Sequence, residues 1–269
     1  MNRIDKKFTE LKSKNKSAFI PFITAGDPDL QTTKALILEF EKRGADIIEL
    51  GIPFSDPIAD GPIIQASYYR ALTRGIKVAQ ILDMVTELRK ISDIPIVSMV
   101  SYSIVFKGGC ENFVEKACNA GLDGLTIPDL PVEENAEIFE TARKNDFKIV
   151  CFIAPTTTEQ RMALITQRSQ GFLYYISVVG ITGIRDKLPD DVVQNIDKLK
   201  QMTKTPIAVG FGVSTPSHAR MIGKMADGVI VGSAIIKEIE SHIGEPVEKM
   251  TMHVGGFVGQ LVFGAKDHG

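Results

Sequence analysis

Short apolar runs rich in β-branched residues recur along the chain, at 18–24, 46–50, 94–99, 124–127, 148–153, 171–177, 206–210 and 228–231. They are apolar at successive rather than alternate positions, which predicts strands of a parallel sheet covered on both faces. Between them, apolar residues return every three or four positions over 30–43, 78–90, 132–144, 158–168, 190–202 and 217–225, the pattern of amphipathic helices. Further helical patterns precede the first strand (4–11), follow the loop after the second (63–72) and close the chain (246–262). The last includes V-G-G-F-V-G-Q-L-V-F-G, glycine-rich enough that fraying or irregular structure is expected there.

Strand and helix alternate throughout with no linker, which is the signature of an α/β fold. Eight strands in 269 residues fit one domain, a (β/α)8 TIM barrel with extra helices at the N-terminus and after strands 2 and 8. A doubly wound open sheet is the rival, since alternation alone does not close a barrel. In a barrel the functional residues belong on loops after the strand C-termini. Here those loops carry Asp27; then Glu49, Asp56 and Asp60; then 101–106; then Asp129; then 177–188, 210–214 and 232–234.

Composition narrows the classes. The chain is 44% hydrophobic and 24% charged with a net charge of −2, which offers no electrostatic reason to bind nucleic acid. Lys6, Lys7, Lys12, Lys14 and Lys16 lie on the polar face of a pattern carried by Ile4, Phe8 and Leu11, and read as a solvated helix face. Cys110, Cys118 and Cys151 lack the spacing of a disulfide framework or a zinc site. The opening M-N-R-I-D-K-K has no apolar signal segment, so a soluble cytoplasmic protein is expected. His218, His242, His253 and His268 fall outside the motif-bearing loops and read as structural or surface residues, so no metal is expected.

The segment E-L-G-I-P-F-S-D-P-I-A-D-G-P from Glu49 sets two carboxylates in a loop shaped by glycine and proline at the end of an apolar strand. A buried carboxylate has its pKa raised toward the range useful for proton transfer, and two carboxylates in different surroundings hold different protonation states. A structural reading is also open, in which Glu49 forms a rim ion pair and Asp60 starts a helix. The loops Gly210-Phe211-Gly212-Val213-Ser214 and Gly232-Ser233-Ala234 are small residues leading into helix starts, suited to bind phosphate or simply to turn and cap. The sixth loop, S-V-V-G-I-T-G-I-R-D-K-L-P-D-D, has the length and glycine hinges of a lid. No dinucleotide fingerprint, P-loop, Ser-His-Asp ordering or Schiff-base lysine is found, which leaves carboxylate acid–base chemistry on a phosphorylated small molecule.

These segments, with P-F-I-T-A-G-D-P from Pro21, I-Q-A-S from Ile64, D-L-P-V-E-E from Asp129, G-I-T-G from Gly180, G-F-G-V-S from Gly210 and G-S-A-I from Gly232, resemble the tryptophan synthase α subunit family over nearly the whole chain. The resemblance implies a (β/α)8 barrel that cleaves indole-3-glycerol phosphate to indole and glyceraldehyde 3-phosphate. It implies Glu49 as general acid toward indole C3 and general base on the C3′ hydroxyl. Asp60 would stabilise positive charge at the indole nitrogen and take its proton as the C–C bond breaks. Tyr174 would hydrogen-bond and orient Glu49, and Phe22 and Phe211 would line the indole pocket. Gly183, Gly212, Gly232 and Ser233 would bind phosphate, and Thr182 would help close the sixth loop. The implied partner is a β subunit in an αββα complex, faced by Pro53 and Asp56; pyridoxal phosphate belongs to that partner, and no cofactor is expected in this chain. Ser101 and Ser103 depart from the family pattern, where Tyr and Asn are usual, in a loop that helps form the partner contact. A stand-alone indole-3-glycerol-phosphate lyase and a non-catalytic barrel that only activates the β subunit are the alternatives.

Overall fold

Eight strands, β1 (Ala18–Thr24), β2 (Ile48–Gly51), β3 (Ile96–Met99), β4 (Gly124–Thr126), β5 (Lys148–Ile153), β6 (Leu173–Ile176), β7 (Ile207–Gly210) and β8 (Gly228–Val231), pair in sequence order. All pairs are parallel and β8 closes on β1, so the sheet is a barrel and not the open rival. The computed structural model describes residues 1–58, 60–134, 136–176, 190–210 and 212–267.

Alternate residues of each strand face opposite ways. Ala18, Ile20, Ile47, Val97, Val150, Phe172, Ala208 and Ile230 fill the barrel, while Phe19, Ile48, Leu125, Leu173 and Val229 pack against the surrounding helices. Helix α1 (Arg3–Ser13) plugs the bottom with Ile4, Phe8 and Leu11, and the Phe8 and Phe172 rings lie 5.7 Å apart. Each such side chain contributes about 1.5–3 kcal/mol on burial. Asn2 fixes the plug, accepting the Ile4 N–H at 2.9 Å and donating to the carbonyls of Asp123 and Asp146.

Around the outside run α2 (Leu30–Lys42), α3 (Pro62–Thr73), α4 (Val78–Leu88), α5 (Tyr102–Gly108), α6 (Cys110–Ala120), α7 (Ala136–Lys144), α8 (Glu159–Arg168), α9 (Asp190–Met202), α10 (Pro216–Gly223), α11 (Ser233–Ser241) and α12 (Val247–Lys266). The extra helices stand where the sequence places them, with two corrections. Residues 101–106, read as a loop, largely form α5: the Ser101 hydroxyl accepts the Ser103 N–H at 3.2 Å and donates to Asp129 at 2.7 Å, so Ser101 serves as a helix cap. The glycine-rich tail is not irregular. It is a 20-residue helix in which glycine permits close packing, because a Cβ at Gly255 would meet the Glu39 side chain and one at Gly264 the Pro216 carbonyl. Its end is clamped by Lys266, which reaches Asp46 at 2.9 Å and the Gly44 carbonyl at 2.7 Å. Despite its length, no described helix is long and apolar enough to cross a membrane.

Two glycines of α12 are expected to respond oppositely to alanine. Gly264→Ala forces apart α12 and α10 and should cost about 1–3 kcal/mol. Gly256 faces open space, so Gly256→Ala should gain about 0.5–1 kcal/mol. Thermal unfolding of both variants checks the pair; equal and small effects would mean that the α10–α12 approach is not fixed by glycine.

Candidate active site

Glu49 lies opposite Phe22 of β1 and Val97 of β3 in the barrel register and shares the inward face with Ile47. It is only 1% exposed. The Thr126 hydroxyl on β4 donates to Oε1 at 3.1 Å, and Oε2 has no hydrogen-bond partner among the described residues. Burial therefore dominates and pushes the Glu49 carboxyl up to about 8; the Thr126 and Tyr174 hydroxyls oppose this, and the nearby Asp60 carboxylate adds to it. Tyr174 faces the same cavity, but its influence on Glu49 acts without a hydrogen bond of normal geometry to Oε2.

Asp60 immediately precedes α3, whose N-cap is Gly61. Its N–H donates to the Pro57 carbonyl at 3.1 Å, and its own carbonyl accepts the Gln65 amide at 2.7 Å. Partial burial, and then the charge of Asp129, raise the Asp60 carboxyl to about 6. Near neutral pH the pair accordingly consists of a protonated Glu49 and an ionised Asp60, an acid and an anion facing one cavity.

That cavity, about 660 Å³, opens at the C-terminal ends of the strands. It brings together the sequence-predicted Phe22, Glu49, Asp60, Tyr174, Gly212, Gly232 and Ser233. Phe211, Thr182, Gly183 and the rest of the sixth loop lie outside the described residues. The walls are apolar: Phe22, Met99, Phe152 and Ile64 line it, and the Phe152 and Tyr174 rings stand 4.8 Å apart. Gly210 leaves room for Tyr174, since a Cβ there would come within 2.8 Å of the ring. Beyond the neighbouring strand β8, Ser233 opens α11, whose first N–H groups lack intrahelical partners and favour an anion.

Two further residues at the site went unread in the sequence. Thr126 ends β4 just ahead of the motif that begins at Asp129, and its inward alternation with Gly124 puts it beside Glu49. Lys237 lies one turn beyond Ser233 on α11 and lines the cavity, a helical spacing that could have been read. Arg70 locks the frame: it donates two bonds to buried Asp27, at 2.9 and 2.7 Å, and one to Glu240 at 2.7 Å, tying α3 to the first loop and to α11. On the outer side of the second loop Asp56 is exposed, as is Ile58 at 83%, whereas Pro53 is buried beneath them and shapes the loop.

His242 and His253, read from the sequence as structural or surface residues, are partly exposed and meet each other and Glu245 outside the cavity.

A closed parallel barrel with two carboxylates facing an apolar cavity, and a helix N-terminus at its edge, has the build of a (β/α)8-barrel enzyme. The chain belongs to the tryptophan synthase alpha chain family, whose sequence model matches residues 8–259. The alpha chain of Caldanaerobacter subterraneus subsp. tengcongensis is 49% identical over 239 residues, 89% of this chain and 91% of that one. The alpha chain of a Thermoanaerobacter species is 46% identical over 261 residues, 97% of this chain and 98% of the other. Among solved structures, the alpha subunit of Legionella pneumophila str. Paris superposes with a TM-score of 0.90 at 35% identity, covering 98% of each chain. A structure described as the tryptophan synthase a2b2 complex of Pyrococcus furiosus gives a TM-score of 0.85 at 39% identity, covering 91% of this chain and 98% of that one.

The buried acid has a thermodynamic signature. Folding raises the Glu49 pKa from 4.5 to about 8, so its contribution is most favourable below pH 4.5 and is lost as pH rises through 8. Glu49→Gln should therefore be more stable than the parent by on the order of 2–3 kcal/mol at pH 7, with the gain vanishing toward pH 4.5. Denaturant unfolding at several pH values measures it; a pH-independent difference would show that Glu49 is not a buried acid.

Proposed function

We propose that Glu49 and Asp60 carry out the cleavage of indole-3-glycerol phosphate that alpha chains of this family catalyse. The observation that supports it most is the split of the pair: a buried neutral Glu49 faces the same apolar cavity as an ionised Asp60. Glu49 donates its proton to indole C3, and the positive charge that develops at the ring nitrogen is stabilised by Asp60, which accepts the N–H. The Glu49 carboxylate then removes the proton of the C3′ hydroxyl. As that oxygen becomes the carbonyl of glyceraldehyde 3-phosphate, the C3–C3′ electrons return to the ring, and any proton held by Asp60 goes back to nitrogen. Indole leaves, and Glu49 is again protonated.

Phe22 and Phe211 hold the indole ring, while Tyr174 and Thr126 set the Glu49 carboxyl. Gly212, Gly232, Ser233 and Gly183 take the phosphate, with Lys237 adding positive potential, and Thr182 helps close the sixth loop. The chain passes indole to a β subunit that carries pyridoxal phosphate, in an αββα assembly like that described for Pyrococcus furiosus, with no cofactor of its own. The exposed Asp56 and Ile58 face this partner. The cell's cytoplasm is the compartment that fits.

The deciding experiment measures indole release from indole-3-glycerol phosphate by the purified chain, with and without a β subunit. Slow release, stimulated by the partner and reduced about 10²–10⁴-fold or more in Glu49→Gln, is expected. Fast release without the partner would make the chain a stand-alone lyase, and turnover surviving in Glu49→Gln would remove Glu49 as the acid–base group.

Gly232→Asp tests the phosphate site separately. A Cβ there meets Phe22 no closer than 3.5 Å, so charge rather than clash is introduced. The Michaelis constant should rise roughly tenfold, equivalent to about 1.4 kcal/mol of repulsion, while Gly232→Ala changes it little. An unchanged constant in the aspartate variant would take this loop out of the site.

A further inference from the structure

Three donor atoms converge at the corner between α11 and α12, away from the catalytic cavity. His242 caps the C-terminal end of α11, Glu245 follows in the turn, and His253 stands in the second turn of α12. His242 Nδ1 lies 3.2 Å from Glu245 Oε2 and 3.2 Å from His253 Nδ1, and His253 Nδ1 lies 3.6 Å from the same carboxylate oxygen. The ring centres are 4.5 Å apart, farther than the nitrogens, so the two Nδ1 edges are turned toward one another.

The outer contacts decide what this triangle suits. Glu238 Oε1 lies 3.4 Å from His242 Nε2, placing a carboxylate where it accepts the proton of that nitrogen and leaves a lone pair on Nδ1. That lone pair then faces the Glu245 oxygen and the second imidazole. A proton on one nitrogen joins one or two of these atoms, whereas a divalent cation at the centre satisfies all three. The spacing also fits, because donor atoms about 2.0–2.1 Å from a tetrahedral zinc ion are separated from one another by about 3.3–3.4 Å. Lys249 holds the other oxygen, Oε1, at 3.2 Å and so leaves Oε2 directed at the imidazoles.

We infer that His242, Glu245 and His253 form a binding site for a divalent transition-metal ion, zinc by its two-nitrogen, one-oxygen donor set, with solvent in the remaining position. All three side chains are partly exposed, so an ion reaches them from solvent without opening the fold. The ion staples α11 to α12. The site is structural rather than catalytic: the nine-residue α11 separates it from Ser233 by about 13 Å.

The test uses the untagged full chain stripped of metal. Calorimetric titration with Zn²⁺ should show one saturable site, and Co²⁺ in its place should give the intense visible absorption of low-coordinate cobalt. The melting temperature should rise with free Zn²⁺. Removing a ligand in His253→Ala or Glu245→Gln should abolish the cobalt spectrum, and Glu238→Gln should weaken binding by about 10–100-fold through the outer contact. Circular dichroism and the melting temperature of each stripped variant verify that it is folded. Absence of saturable binding to the stripped parent overturns the site, as does a spectrum that persists in folded His253→Ala.

Discussion

Closure of the sheet is the constraint on which everything else in this molecule rests. With β8 paired to β1 there is no free edge, so the strands must begin at staggered heights and the amides at their lower ends need partners of their own. Side chains supply several of them: the N–H groups of Phe19, Ile96 and Ile207, at or next to the starts of β1, β3 and β7, donate to Asp46, Asp123 and Asp227 shortly before the following strand, and the Cys151 N–H, midway along β5, donates to Ser169. Three of these acceptors are carboxylates, and two are held by cations, Asp46 by Lys266 and Asp123 by Arg3 and Arg89. Polar contacts thus brace the bottom of the barrel around its apolar plug, while the top is left to chemistry.

Glu49 shows the contrast. Asp123 is as deeply buried as a rim residue can be, yet two guanidiniums and an amide oppose the effect of burial on its carboxyl. Glu49 receives one hydroxyl on one oxygen and nothing of normal geometry on the other. An equally buried carboxyl with cationic partners would be held ionised and useless as an acid; without them it keeps its proton. The free-energy cost of that arrangement is tolerated because the remaining barrel interior is apolar and closely packed. Stability alone would favour a paired or apolar side chain here, and the scaffold instead keeps a buried carboxyl with a single hydroxyl donor among the described residues.

Much of this was legible in the sequence because period and position coincide. The runs at 18–24, 148–153 and 228–231 are strands to the residue, and the two carboxylates stood out because charge at the end of an apolar run needs a reason. The failures have physical causes. The strand at 46–50 begins later than its apolar pattern because Asp46 serves as a rim acceptor and not as a ladder residue. Seven residues of α5 are too few for a helical period to declare itself, and its capping Ser101 looks like a loop residue until Asp129, 28 positions away, is seen to hold it. Glycine propensity argued against α12 because propensity counts entropy, whereas Gly255 and Gly264 are there for contact. Thr126 and the meeting of His242 with His253 depend on tertiary proximity, which no local pattern encodes.

The ranking of influences on Glu49 also bears on how a partner would act. Burial comes first and Thr126 second, and both belong to the barrel; Asp60, which sits on the second loop, comes third. The protonation state of the Glu49 carboxyl is consequently set first by the barrel and only then by the loop. Asp60 is different: its own carboxyl responds to how deeply the loop is buried and how near Asp129 lies, and the same loop carries the exposed Asp56 and Ile58. Displacement of that loop would act first on the Asp60 carboxyl and only secondarily on Glu49, where Asp60 ranks behind burial and Thr126. The Arg70 bridge from α3 to Asp27 and Glu240 meanwhile ties the helix that follows Asp60 to the first loop and to α11, so the loop rather than the helix is the freer part.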